Sequence, residues 1–168
     1  KNPADCLKIA KEHGIEFFNF RFTDLKSKMH HIGFPIRQVS ENLLNDGFYF
    51  DGSSISGWKS IIQSDMNMKP DVSRISICPF SAQPTLDVFC DVYEPSTGDP
   101  YGRDPRSIAK KAEEYLKKTK IADSVSFGPE AEFFIFDSVK FETSQNRIIS
   151  EIDSEEGPYN SGKDYPEG

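Results

Sequence analysis

Two glutamates, Glu130 and Glu132, stand one residue apart inside the apolar run VSFGPEAEFFIF at residues 125–136. The run is rich in β-forming residues and predicts a strand, in which both carboxylates would lie on one face, about 6.5–7 Å apart. Hard divalent cations such as Mg²⁺ and Mn²⁺ take carboxylate oxygens, and phosphate chemistry commonly uses these ions in pairs. A strand with one solvated face has the same pattern and is common. The residues alone leave both interpretations open.

A second group of reactive side chains lies in the sequence FDGSSISGW at residues 50–58. A strand is predicted to end at Asp51, and the loop that follows presents three hydroxyls and an indole beside this acid. Loops at strand ends often carry function on a rigid base, and Asp51 could hold a cation or accept a proton. The alternative is a turn in which Asp and Ser side chains bond to local backbone amides.

The three histidines are interpreted as structural. His30 and His31 are neighbours in a predicted strand, so they face opposite sides and cannot bind one ion together. His13 falls at a helix C-terminus, where the helix dipole favours a partly charged imidazole. The sequence offers no evident Ser–His–Asp or Cys–His arrangement and no GxxxxGK[ST] phosphate-binding loop.

Composition narrows the class of protein. The net charge of −7 gives no electrostatic support for a nucleic-acid partner, and it is compatible with metal ions or ammonium. The three cysteines are widely spaced without a CxxC pair, which argues against zinc and predicts a reducing, cytoplasmic setting. No apolar run approaches ~20 residues, so no membrane partner is expected.

The first hundred residues predict an α+β pattern. Asn2-Pro3 and Gly14 mark the start and stop of a short helix, and a second short helix begins at Ser40 and is closed by Gly47. Apolar alternation, with Phe18, Phe20 and Phe22 on one face, indicates the first of several strands. The predicted strands cover residues 15–23, 29–34, 47–52, 74–78 and 85–93.

A composition change near residue 103 predicts a domain boundary. Residues 94–105 are dense in Pro, Gly and polar side chains, and a strongly amphipathic helix follows, opened by Asp104-Pro105. The strand predicted at residues 125–136, whose apolar pattern allows a continuation to Phe141, comes next. Residues 154–168 carry no packing signal. The predicted domains are therefore 1–103 and an incomplete 104–168.

Four stretches, in this order, resemble the bacterial type I glutamine synthetase family, and together they are specific. The resemblance extends from residue 5 to residue 168. The stretches are FDGSSISGW at 50–58, SDM with KPD at 64–66 and 69–71, RDPR with its helix at 103–106, and FGPEAEFF at 127–134.

The resemblance implies a β-grasp N-terminal domain followed by the start of the α+β catalytic domain. It implies ligation of ammonia to glutamate with ATP, through γ-glutamyl phosphate. Glu130 and Glu132 would bind the two divalent ions, Mg²⁺ or Mn²⁺. Asp51 would line the ammonium site and help remove a proton, with Ser54 supplying a hydroxyl there. Trp58 would lie near a subunit interface, with core packing as its alternative.

The resemblance also implies a homo-oligomer, a dodecamer of two six-membered rings in which this loop serves the neighbouring subunit. In the family, the remaining metal ligands and the nucleotide pocket follow this stretch. The chain alone is therefore expected to be inactive, without nucleotide-binding residues, and marginally stable beyond residue 104. Two alternatives stay open: a relative that attaches polyamines or other amines to glutamate, and a freestanding β-grasp module without catalysis.

Overall fold

The computed structural model describes residues 2–155 and Gly157, and it divides the chain into two compact units. The first unit extends to Val125 and the second begins at Ser126. Most of the 154–168 stretch, for which no packing was predicted, lies outside the described residues. In the described part, no helix is long and apolar enough to cross a membrane.

A five-stranded mixed sheet forms the first unit, in the order β2-β1-β5-β4-β3. Strand β1 is antiparallel to β2 and parallel to β5, and the β5-β4-β3 pairs are antiparallel. Strand β5 therefore lies at the centre, between β4, which directly precedes it in the chain, and β1, the first strand. The strands are β1 (Phe17–Thr23), β2 (Met29–Pro35), β3 (Phe48–Asp51), β4 (Asp65–Ile77) and β5 (Thr85–Tyr93).

One face of the sheet supplies the core. The alternating side chains Phe18, Phe20 and Phe22 are at most 2% exposed, as the sequence pattern predicts. They share one apolar cluster with residues of two helices, α1 (Pro3–Glu12) and α2 (Glu41–Asp46). Burial of such side chains is worth about 1.5–3 kcal/mol each, so this face holds the helices to the sheet.

Both helices begin and end where the sequence predicts. Asn2 caps α1 in a reciprocal capping box with Asp5, and the Ser40 hydroxyl caps α2 by accepting from the Leu43 amide. Gly14 follows α1 with φ +60. Gly47 ends α2 with φ +84, and a Cβ there would meet the Met68 carbonyl oxygen at 2.3 Å, so only glycine fits.

Strand β4 is longer than the predicted strand at residues 74–78. It begins at Asp65, and its pairing with β5 shifts register between Pro70 and Ile75. A proline removes one ladder donor, and an irregularity of this kind lets the strand continue past it. Because Pro70 lies in a polar stretch, the local pattern gives no indication of the first half of β4.

Helix α3 (Pro105–Thr119) belongs to the first compact unit. The Asp104 carboxylate caps it while buried at 1% exposure, and Arg106 binds Asp71 of β4 at 2.6 Å and Asp91 of β5 at 2.9 Å. These contacts attach α3 to the sheet, and the first compact unit therefore includes α3 and ends at Val125. The domain boundary near residue 103 stays a prediction.

The second unit contains one two-stranded hairpin, β6 (Ser138–Thr143) with β7 (Ile148–Asp153), among the residues described. The prediction of a strand at residues 125–136 is wrong for this structure, because no strand pairing involves them. A strand needs a neighbour for its backbone groups, and here even Phe127 and Phe134 are 85% and 86% exposed. The Phe134 and Phe136 rings stack at 6.1 Å.

Candidate functional site

Asp51 stands at the exposed end of β3, where the chain enters a single 3₁₀ turn over Gly52–Ser54. Its Oδ1 accepts hydrogen bonds from the Ser53 amide at 2.8 Å and from the Ser53 hydroxyl at 2.6 Å. These bonds favour the charged carboxylate and lower the pKa of Asp51, the hydroxyl contributing most. Asp51 is thus an ionised, solvent-facing acid on a fixed turn, and Ser54 is exposed beside it.

Buried side chains hold this loop in place. Ile55 and Trp58 are 7% and 3% exposed, and the Trp58 ring packs against Phe22 and Phe50 with centroids 5.4 and 6.3 Å away. The Gly52 amide donates to the Ser64 carbonyl at 2.7 Å, which closes the base of the loop. Trp58 therefore has the core-packing role that the sequence left as its alternative.

Two residues after β5 fasten the far end of the loop, and sequence reasoning missed both. The Tyr101 hydroxyl donates to the Trp58 carbonyl at 2.7 Å, and its ring packs edge-on against the indole at 5.3 Å. Arg103 donates to the Gly57 carbonyl at 2.5 Å. Both lie in a stretch whose composition is typical of a linker, so no local signal indicates this role.

Gly52→Ala is expected to destabilise the first unit by about 1–3 kcal/mol, the range for forced overpacking. A Cβ at this position would meet the Met66 Cγ at 2.5 Å and the Ser64 carbonyl oxygen at 3.1 Å. Met66 is fully buried, so it has little room to move. Chemical denaturation of the wild type and the variant measures the difference.

Gly102→Ala is the matched control, because nothing lies within 4 Å of a Cβ there. Its denaturation midpoint should stay close to that of the wild type. Equal midpoints for Gly52→Ala and Gly102→Ala would show that the close approach at Gly52 has no energetic consequence.

A hollow of about 290 Å³ lies beside the loop in the first unit. Lys59 is the one lysine among the residues that line this hollow. Its Nζ donates to both carboxylate oxygens of Glu94, at 2.6 and 2.7 Å. That pairing neutralises the lysine and leaves no cation for an anionic ligand. The lining residues are Lys59, Ile62, Gln63, Ser64, Asp65, Glu94, Pro95 and Ser96.

Glu130 and Glu132 lie in the second unit, in the exposed segment without strand pairing. Within residues 2–155 and Gly157, no three His, Cys, Asp or Glu side chains group as a metal site. Two solvent-facing carboxylates fit a hard divalent cation in kind, and six-coordinate Mg²⁺ needs further oxygen ligands. The pair can therefore supply part of a coordination shell.

Of the three histidines, His30 has the structural role that the sequence predicts. The Asp24 carboxylate lies 2.8 Å from His30 Nε2, and the pKa of Asp24 is lowered chiefly by that bond. His30 also stacks on Phe22, with ring centroids 5.3 Å apart. His31 is exposed on the opposite side of β2, and His13 is the residue that ends α1.

Comparison with known proteins identifies the two parts of the chain. Residues 14–95 match the β-grasp domain of glutamine synthetase, and residues 102–166 match its catalytic domain. The fold is thus a β-grasp domain followed by the start of a catalytic domain, the two-domain arrangement of one class of enzymes. The chain belongs to the glutamine synthetase family.

Individual relatives match nearly the whole chain. It is 53% identical to glutamine synthetase of Azospirillum brasilense over 98% of its length and 35% of that protein's. It is 48% identical to 3-hydroxylaminophenol mutase of Cupriavidus pinatubonensis over 100% and 36%. Plasmodium falciparum glutamine synthetase aligns with a TM-score of 0.75 and 30% identity, over 93% of this chain and 30% of that one. The chain spans about a third of the length of these relatives.

Proposed function

We propose that a protein carrying this chain together with the rest of the family's catalytic domain joins ammonia to glutamate, using ATP and passing through γ-glutamyl phosphate. Family membership supports the reaction class. The single observation that supports ammonium as the nitrogen source is Asp51, an ionised carboxylate held on a fixed turn and facing solvent. A small cation suits such an acid better than a bulky amine does.

Asp51 would act on the nucleophile. Its negative charge attracts ammonium, and the carboxylate accepts one proton, so that a neutral nitrogen with a free electron pair remains to attack the acyl phosphate. The Ser54 hydroxyl, exposed on the same turn, would accept a second hydrogen bond from the cation.

Glu130 and Glu132 would hold the divalent ions, Mg²⁺ or Mn²⁺. Such ions neutralise phosphate charge during phosphoryl transfer. The alternation of side chains would direct both carboxylates to one side once the segment pairs with neighbouring strands. ATP and glutamate would bind to residues outside this chain, so the chain by itself should be inactive.

We also propose that the active site is shared between copies of the protein in a ring-forming oligomer. A 3₁₀ turn at Ile61–Gln63 follows Trp58. Its side chains Ile61 and Ile62 are 87% and 93% exposed on the first unit. Adjacent exposed isoleucines are typical of a surface that another subunit covers. In this arrangement Asp51 would serve the neighbouring catalytic domain.

Replacing both isoleucines by aspartate (Ile61→Asp with Ile62→Asp) should dissociate the oligomer and abolish glutamine formation, because charge is costly in an apolar interface. Sedimentation velocity and the activity assay measure the two effects. Leu25→Asp, at a half-exposed position in the β1–β2 turn, is the control and should keep the wild-type sedimentation. An unchanged sedimentation coefficient in the double variant would contradict the proposed interface.

The assay that tests the reaction offers ammonium, methylamine and putrescine in turn, with glutamate, ATP and Mg²⁺. Glutamine formation that exceeds both amide products would support ammonia ligation. Preference for an amine would favour the second candidate, an amine ligase of the same fold. This comparison is needed because a mutase and the synthetases are similarly close to this chain.

The cytoplasm is the proposed location. Cys78 and Cys90 are buried thiols that form no disulfide, as expected in a reducing compartment.

A further inference from the structure

We propose that Ser53 is a positioning residue for the ammonium site: it fixes Oδ1 of Asp51 and so assigns Oδ2 to the cation. This inference rests on the proposed function and deepens it. Ser53 would touch neither substrate nor metal. Its effect would pass through Asp51 alone, which makes it separable from the role of Ser54 on the same turn.

The hydrogen bonds from Ser53 all go to one oxygen of the Asp51 carboxylate, Oδ1. Both Ser53 donors, the amide at 2.8 Å and the hydroxyl at 2.6 Å, meet Oδ1. Neither reaches Oδ2. The Ser64 hydroxyl also stabilises the charged Asp51 carboxylate, with a smaller effect on its pKa than Ser53 has. A hydroxyl bond to a carboxylate at this length is of the strong, charge-assisted kind, so it restricts rotation of the Asp51 side chain. An exposed aspartate would otherwise sample several rotamers.

The position of Ser53 is itself fixed by the core. The Gly52 amide donates to the Ser64 carbonyl at 2.7 Å, and the Ile55 amide donates to the Gly52 carbonyl at 3.1 Å. Ile55 is buried. Ser53 therefore lies between Gly52 and Ile55, which are both held in place. The hydrogen bonds from Ser53 in turn restrict the position of the Asp51 carboxylate.

The same unit contains a second aspartate held in the same way, and there the other oxygen binds a cation. Oδ1 of Asp71 accepts the Ser73 amide at 3.1 Å and the Ser73 hydroxyl at 2.6 Å. Its Oδ2 binds the Arg106 guanidinium at 2.6 Å. At Asp51 the two Ser53 contacts are equivalent and Ser64 adds a smaller one, while no Arg or Lys side chain binds Oδ2 within the described residues. An ammonium ion is the cation that the proposed reaction would bring there.

The pKa of Asp51, lowered mainly by the Ser53 hydroxyl, is consistent with this arrangement. The Ser53 hydroxyl thus favours the same charged form that would attract the cation. Loss of the hydroxyl would both loosen the side chain and weaken its preference for the charged form.

The test compares two nucleophiles in the full-length protein. Ammonium is a cation that must bind and lose a proton, whereas hydroxylamine is largely uncharged at neutral pH. Ser53→Ala should raise the KM for ammonium roughly 10- to 100-fold, the effect of losing one hydrogen bond to a charged group. The rate with hydroxylamine and the KM for glutamate should change much less. Ser53→Thr, which keeps the hydroxyl, should restore ammonium use.

Ser73→Ala is the matched control, since it removes the equivalent bond at Asp71 and should leave the ratio of ammonium to hydroxylamine rates unchanged. Equal losses with both nucleophiles in Ser53→Ala would overturn the inference and make Ser53 a structural residue. Asp51→Asn separates this failure from failure of the proposed function. If Asp51→Asn selectively loses ammonium use while Ser53→Ala does not, only the inference is wrong; if neither does, both are wrong.

Discussion

Asp51→Asn should lower ammonium-dependent glutamine formation by about 100-fold or more in a protein that carries the complete catalytic domain. General-base assistance typically contributes 10²–10⁴-fold, and the amide can neither attract the cation by charge nor accept its proton. Asparagine has the same shape and can still accept the Ser53 bonds, so the loop should keep its fold. Steady-state rates at saturating ATP and glutamate, with ammonium varied, measure the loss.

Asp46→Asn is the control for this experiment, because it removes an exposed carboxylate from the end of α2 without touching the loop. It should retain the wild-type rate, and both variants should have the wild-type sedimentation coefficient. Full activity of Asp51→Asn with ammonium would remove the basis for placing the ammonium site at this loop.

Glu132→Ala should reduce glutamine formation by a comparable factor, about 100-fold or more, since even the outer partners of metal ligands cost roughly 10- to 100-fold when they are replaced. The Glu132 side chain is exposed, so its removal should leave folding of the first unit intact. Titration of Mg²⁺ or Mn²⁺ against activity should show a higher half-saturating concentration, and excess metal should recover part of the rate. Glu130→Ala should show the same loss of rate and the same shift in the metal titration.

Glu151→Ala provides the matched comparison in the same unit. Glu151 is 65% exposed on β7 and makes only a loose ion pair with Lys140, at 3.7 Å. Its metal titration should superimpose on that of the wild type. If Glu132→Ala and Glu151→Ala share one titration curve, the two glutamates at 130 and 132 are a solvated strand face, the alternative that the sequence left open.

Local signals were sufficient for much of the first unit. The cap at Asn2, the stop at Gly14 and the alternation of Phe18, Phe20 and Phe22 each depend on neighbouring residues, and each predicted its element. Asp104-Pro105 likewise marks the start of α3. Such patterns act through backbone geometry and burial over a few residues, so they can be recognised without knowledge of the tertiary fold.

Features that depend on distant residues were missed. Tyr101 reaches Trp58 across 43 positions, and Arg103 reaches Gly57 across 46, contacts that no periodicity encodes. The predicted strand at residues 125–136 failed for a related reason: its composition suits a strand, yet pairing requires neighbours that the described residues do not provide. Family resemblance, rather than spacing, supplied the roles proposed for Asp51, Ser54, Glu130 and Glu132.

The central place of β5 sets an order for biosynthesis. Residues 17–35 can form the β1–β2 hairpin, and residues 48–77 the β3–β4 pair, while the ribosome is still translating. The two pairs share ring contacts on the core face, such as Phe20 with Phe48 at 5.0 Å, but they join into one sheet only when residues 85–93 insert between them. The five-stranded sheet is therefore completed late, when β5 pairs with β1 on one side and with β4 on the other. Until then the nascent chain has no complete core beneath the loop that bears Asp51, and the site acquires its geometry only when that strand has been made.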